Sequence, residues 1–264
     1  MKTDITTYLL LFSILNSLIA FKLKVKQDVL QNVLICNYAY LDNQNQTDPS
    51  LQNRLILGNA SYFGVLAATR TTNHGNTTVV GSLGVFPSAS IDGDNITLIG
   101  GTFHRADKEA QDAQNSLTIA YNYLSNRTTE VDLTGTDLSG LVLLPGVYEF
   151  SSSAFLSAGP PLILNGNGLP NAEWVFKIGS TLITSVGSKI EVIGGGSPYN
   201  VYWKVGSSAS IKGNTTMVGN IVTLTSISFG TIATLQGRAL ARNGAITMLA
   251  NNITSVPCRN TSNI

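Results

Sequence analysis

The sequence predicts a mainly β protein: a right-handed triangular β-solenoid (β-helix) with one long α-helix packed alongside. Three observations carry that expectation. From Leu55 onward, short apolar runs of four to six residues follow one another, each closed by Gly, Asn or Pro. A six-residue pattern returns at a fixed interval, and one long stretch without Gly or Pro interrupts the runs.

The repeat sets the architecture. Thr216-Met217-Val218-Gly219-Asn220-Ile221 returns 18 residues later as Thr234-Leu235-Gln236-Gly237-Arg238-Ala239, and Thr78-Val79-Val80-Gly81-Ser82-Leu83 has the same form. A period of about 18 residues holds three short strands, one turn of a solenoid, because a single turn cannot bury its apolar face without neighbours above and below. Carried outward, this register sorts the strands into three faces. The first (174–178, 201–205, 220–224, 238–242) is apolar on both sides of its strands, as expected where one side meets the core and the other is covered. The second (181–184, 209–212, 226–229, 245–248) alternates large apolar residues with small hydroxylated ones, and the third (189–192, 216–218, 234–236, 252–254) carries more varied outward groups.

The interrupting stretch, Arg105 to Asn126, places Ala106, Ala110, Ala113, Leu117, Tyr121 and Leu124 at steps of three and four. That spacing predicts an amphipathic helix, and alanine at its early contact positions lets it lie close to a flat surface. Thr102 or a neighbour is the expected cap.

The ends read differently. Residues 1–20 have a short positive start, an apolar run and a small residue at Ala20, the pattern of a secretory signal peptide. The apolar run is shorter than the ~20 residues of a spanning helix, so no membrane association is expected after cleavage. Residues 21–54 are polar and poorly periodic, a cap or a disordered segment; the solenoid domain is expected over 55–258, with a tail at 259–264. Export agrees with the sequons at Asn45, Asn59, Asn76, Asn95, Asn126, Asn214, Asn252 and Asn260, candidate N-glycosylation sites. It also agrees with the even cysteine count: Cys36 and Cys258 are able to form a disulfide in an oxidising compartment, or to be two unrelated thiols.

Composition and motifs exclude several functions. Only 12% of residues are charged and the net charge is +1, so the basic stripe that holds nucleic acid is missing. Asp92 and Asp94 sit in a Gly-rich stretch where Asp is a turn former, and not in a paired-carboxylate site. The histidines are His74 and His104, the latter at the helix boundary, and the cysteines lack metal spacing, so no catalytic group, metal or cofactor is expected. Gly194-Gly195-Gly196-Ser197-Pro198 lacks the Lys and following helix of a phosphate loop and reads as a connection between strands.

Several motifs occur together in order: Ser61-Tyr62-Phe63-Gly64-Val65-Leu66-Ala67, Gly84-Val85-Phe86-Pro87, Asp132-Leu133-Thr134-Gly135, Leu144-Pro145-Gly146-Val147-Tyr148 and the run from Gly237 to Thr247. In this the chain resembles the microbial ice-binding protein family across roughly residues 55 to 256. The resemblance implies a discontinuous solenoid, a helix beside one face, and another flat face that adsorbs to ice. On such a scaffold outward groups recur every ~4.8 Å between coils and ~6.6 Å along a strand, a scale similar to the oxygen spacings of ice. The second face fits best, with Thr181, Ile183, Ser210, Ser226, Ser228, Ala245 and Thr247 expected outward and Lys212 as the misfit. The resulting expectation is a secreted, non-enzymatic, monomeric protein whose partner is an ice crystal surface. Two alternatives stand beside it: a cell-surface adhesive or polysaccharide-binding solenoid, and a polysaccharide-active enzyme, which would require clustered acidic residues on one face.

Overall fold

The computed structural model describes residues 55–169 and 171–255. The expected signal peptide, the polar segment 21–54, Cys36, Cys258, the sequons at Asn45 and Asn260 and the tail 259–264 lie outside the described residues.

In chain order, the first coil is β1 (Phe63–Ala67), β2 (Thr71–His74) and β3 (Thr77–Val80), and the next is β4 (Ser82–Val85), β5 (Ile91–Gly93) and β6 (Ile96–Ile99). After β7 (Phe103–Arg105) comes the helix α1 (Lys108–Ser125). The chain then restarts with β8 (Val131–Asp132) and β9 (Val142–Leu143). Full coils follow: β10 (Gly146–Phe150), β11 (Ala154–Leu156) and β12 (Leu162–Asn165), then β13 (Trp174–Ile178), β14 (Leu182–Thr184) and β15 (Ile190–Ile193). The last strands are β16 (Val201–Val205), β17 (Ala209–Ile211), β18 (Thr216–Thr223), β19 (Ile227–Phe229), β20 (Thr234–Ala241), β21 (Ile246–Leu249) and β22 (Asn252–Thr254). Every strand pair among them is parallel.

Stacking order departs from chain order. β20 pairs with β1, β21 with β2 and β22 with β3, so the N-terminal coils stack on the last C-terminal coil. The helix makes this possible: its 18 residues span ~27 Å, close to six coil spacings of ~4.8 Å, and carry the chain back toward the far end of the stack. The faces are those the register predicts. Residues 181–184, 209–212, 226–229 and 245–248 contribute β14, β17, β19 and β21 of one seven-stranded sheet, β11-β14-β17-β19-β21-β2-β5.

Inside, one in-register column runs Tyr148, Phe176, Trp203, Ile221, Ala239, Val65, Leu83, aromatic in its first three coils and aliphatic in the rest. Its rings stack, with centroids 5.4 Å apart for Tyr148–Phe176 and 4.0 Å for Phe176–Trp203. Their polar atoms are satisfied: the Trp203 Nε1–H donates to the Val218 carbonyl at 2.8 Å and the Tyr148 hydroxyl to that of Leu144 at 2.6 Å. Outside, Ala113, Leu117, Ala120, Tyr121 and Leu124 of α1 pack on Val147, Val175, Tyr202, Val222 and Leu240. Each buried leucine there contributes about 2 kcal/mol of transfer free energy. Lys204 and Arg242 sit over the Tyr121 ring, at 5.0 Å and 4.8 Å from its centroid, so these two cations serve the helix contact.

The helix begins later than the sequence suggests. Ala106 is exposed with φ +52°, and the N-cap is Asp107, not Thr102, whose hydroxyl instead bonds His104 Nε2 at 2.9 Å. Asp107 accepts from the Ala110 N–H at 2.9 Å and pairs with His104 Nδ1 at 2.8 Å. A shorter helix also frees Phe103–Arg105 to pair as β7 with β4.

The glycine of the repeat has a steric cause. Gly219 and Gly237 pair at the corner where β18 and β20 pass from the third face to the helix-covered face. Gly219 has φ +104°, and a Cβ on Gly237 would lie 2.0 Å from the Gly219 carbonyl oxygen. Gly237→Ala is therefore expected to cost at least about 2 kcal/mol, read as a lower thermal midpoint by circular dichroism. Asp107→Ala is expected to cost about 1 kcal/mol as a lost cap. Burial pushes the Asp107 carboxyl up, but the Ala110 N–H and His104 outweigh it and hold it below its ordinary value of 3.8. Its contribution is thus present above the ordinary carboxylate value and lost as pH falls from there through the lowered value of the folded state, so wild type and Asp107→Ala melts are expected to converge in acid.

Candidate functional site

The seven-stranded sheet offers its outer surface through two columns. Along the middle of the strands, pairing sets Phe155 beside Ile183, then Ser210, Ser228, Thr247, Thr72 and Asp92. The residues between them on each strand, such as Leu182, Ile211, Phe229 and Met248, point into the core. This alternation follows from the two-residue period of a strand.

The second column lies one step before the strands, where the helix-covered face turns onto this sheet. It holds Ser153, Thr181, Ser208, Ser226 and Ala245, each two residues before its partner in the first column. Here the hydroxyls knit coils together: Ser153 Oγ accepts from the Thr181 N–H at 3.4 Å, Ser208 Oγ from that of Ser226 at 3.3 Å, and Ser226 Oγ from that of Ala245 at 3.1 Å. In the first column, Thr72 Oγ1 donates to Thr247 Oγ1 at 3.2 Å, and Ser228 is exposed.

All seven residues expected outward lie on this one surface: Ile183, Ser210, Ser228 and Thr247 in the first column, Thr181, Ser226 and Ala245 in the second. The structure adds Phe155, which is 49% exposed, and Thr72. Thr72 comes from the N-terminal coil, and its membership follows from the return path of the chain. Lys212 lies just past the end of β17, at the border of the surface and outside both columns. Asp92, expected in a turn, is in β5 opposite Thr72. Asp137 bridges to Phe155 at the other end. Burial pushes its carboxyl up, but the Ser139 N–H and the Ser157 hydroxyl outweigh this and hold it below the usual carboxylate range.

The third face has its own column, Thr216, Thr234, Asn252, Thr78 and Thr97. Beside it stand Glu191, which is exposed, and the exposed Gln236. The sequon residue Asn252 falls in the middle of that column. Asn214, Asn76 and Asn95 lie in the corner between the second and third faces, while Asn126 caps the end of α1 and Asn59 precedes β1. Each of these six asparagines is exposed.

His104, Asp107 and Glu109 lie close together, but both His104 ring nitrogens are taken up by Thr102 and Asp107, and the group works as the helix cap. Other ionisable groups are spent in structural pairs such as Arg127–Glu173 at 2.6 Å and Lys177–Glu149 at 3.4 Å. Gly194–Gly196 lies in the connection between β15 and β16.

A triangular parallel solenoid with a return helix, and an outer face whose middle rows carry short or branched uncharged side chains at regular spacing, define a surface-binding scaffold. The chain matches the ice-binding-like family model over residues 65–254, and it belongs to that family. An ice-binding protein of Nostoc sp. (strain HG1) is 44% identical over 211 residues, covering 80% of this chain and 77% of the relative. One of Flammulina populicola is 28% identical over 225 residues, covering 77% and 90%. The crystal structure of an ice binding protein from an Antarctic biological consortium superposes with a TM-score of 0.71 at 42% identity, covering 74% of this chain and 88% of the other. That of an ice-binding protein from the ascomycete Antarctomyces psychrotrophicus gives 0.70 at 31%, covering 75% and 97%.

Proposed function

We propose that this protein is secreted and, as a monomer, adsorbs to ice through its seven-stranded face, inhibiting ice growth or recrystallisation without catalysis. The single observation that carries the choice of face is the in-register row Ile183, Ser210, Ser228, Thr247 and Thr72, which holds short or branched uncharged groups across five coils. Such side chains lose few rotamers when they order water, and the coil spacing of ~4.8 Å repeats them on a rigid grid. In this reading the solenoid domain covers 55–258 and residues 1–20 direct export. The sequon asparagines are candidate attachment points for N-glycans. A glycan on Asn252 would cover the third face, and among the described residues no sequon asparagine stands on the seven-stranded one.

The column of threonines on the third face supports a second reading, in which that face meets the ice. The two separate cleanly. Ice crystals grown in micromolar purified protein are expected to be faceted rather than round, and recrystallisation is expected to slow. Thr247→Tyr, which sets a bulky ring in the middle of the seven-stranded face, is expected to lower thermal hysteresis several-fold, while Thr234→Tyr leaves it near wild type. The opposite pattern would move the site to the third face; round discs with unmodified protein would end the ice reading altogether.

A further inference from the structure

The two columns of the seven-stranded face are free of charge from the row Ser153/Phe155 to the row Ala245/Thr247, and then change character. In the next coil the second column holds Arg70, whose carbonyl accepts from the Ile246 N–H at 2.9 Å, and in the last coil the first column holds Asp92. Arg70 Nε and Asp92 Oδ2 are 3.2 Å apart, with the two side chains 60% and 53% exposed. The Ser90 hydroxyl donates to the same Asp92 oxygen at 2.7 Å.

We infer that the Arg70–Asp92 ion pair is the boundary of the ice-contacting surface at the N-terminal coils and limits its activity. This rests on the seven-stranded face being the ice face. An ion pair so exposed adds little to folding, so stability does not account for it. Its position has a chemical consequence. A serine or threonine hydroxyl both donates and accepts, as each water of an ice lattice does. A guanidinium only donates and an ionised carboxylate only accepts. Neither substitutes for a lattice water, and pressing either against ice removes hydration that the lattice does not return. The backbone grid continues through β2 and β5, but water ordered on it stops at the charges. At the opposite end the first column likewise runs into a carboxylate, Asp137, which accepts from the Ser139 and Ser157 N–H groups and the Ser157 hydroxyl and has no cation paired with it among the described residues.

The test is the double variant Arg70→Thr/Asp92→Ser of the full chain, compared with wild type, Thr247→Tyr and Glu191→Ser at equal concentration. Thermal hysteresis and the fraction of protein drawn into a growing ice hemisphere are the readouts. Extending five uncharged rows to seven is expected to raise both roughly 1.4-fold, in proportion to the rows added at ~4.8 Å each. Glu191→Ser, which removes a charge from the third face, is expected to leave them unchanged. If Thr247→Tyr is impaired but the double variant is no more active than wild type, the boundary inference is wrong and the face assignment stands. If Thr247→Tyr keeps full activity, the face assignment fails and the inference with it. An equal gain from Glu191→Ser would make the effect one of removing surface charge anywhere on the molecule and also overturn the inference. Should the double variant not fold, the neutral amide pair Arg70→Gln/Asp92→Asn, whose side chains both donate and accept, reads the same contrast.

Discussion

The interaction on which the rest of the molecule depends is the parallel hydrogen-bonded pairing of each strand with the strand of the same face in the next coil. It fixes identical positions above one another at ~4.8 Å, so any residue preference at one position becomes a column. Inside, it sets side chain on side chain, and where three large rings, Tyr148, Phe176 and Trp203, fall in one column they stack. At the corner it forces glycine on glycine, since Gly237 meets the Gly219 carbonyl where a methyl would collide. Outside, the same rule turns separate hydroxyls into a surface.

A stack of parallel coils ends in unpaired strand edges, and the way this chain treats its ends explains the helix. β20, β21 and β22 would be an open edge if the coils simply ran from first to last; instead β1, β2 and β3 close it. The new outer strands β5 and β7 are short, and β5 carries Asp92 and ends at Gly93, features that discourage further strand addition. The cost of this order is a connection across the length of the stack, and α1 is that connection. Its apolar stripe then covers the one face whose outward residues are themselves apolar, so a topological need and a burial need are met by the same 18 residues.

Much of this was legible in the residues. The repeat Thr-apolar-any-Gly-any-apolar fixed the coil length because glycine and the inward residues are dictated by neighbours, which leaves a mark in sequence. Its third copy, Thr78 to Leu83, belongs to the coils that close the stack, but sequence similarity alone does not say which end they join. Thr72 was therefore missed as a neighbour of Thr247, a contact 175 residues apart. Phe155 escaped because a large apolar residue in a strand looks like core, and only the phase of Ala154 and Leu156, both buried, turns it outward. Asp92 looked like a turn residue beside Gly93; pairing with Thr72 makes it strand. The cap of α1 was misplaced because Ala106 fits the helical spacing while its backbone, at φ +52°, does not.

The seven-stranded face divides its hydroxyls between two tasks, and the division bears on how a surface of serines and threonines could hold water in order. Ser153, Ser208 and Ser226 accept backbone N–H groups of the adjoining coil, so they act as fasteners that set the spacing. The mid-strand column stands on that fastened edge, with Leu182, Ile211, Phe229 and Met248 anchored beneath it in the core. A hydroxyl or methyl there inherits the rigidity of backbone and core rather than supplying its own, and little side-chain entropy remains to be lost when water orders against it. Regularity of the backbone is thus the main determinant of the surface, and the particular small residue at each point is secondary. Groups that carry their own hydration, such as Arg70 and Asp92, interrupt such a surface even where the backbone beneath them continues unchanged.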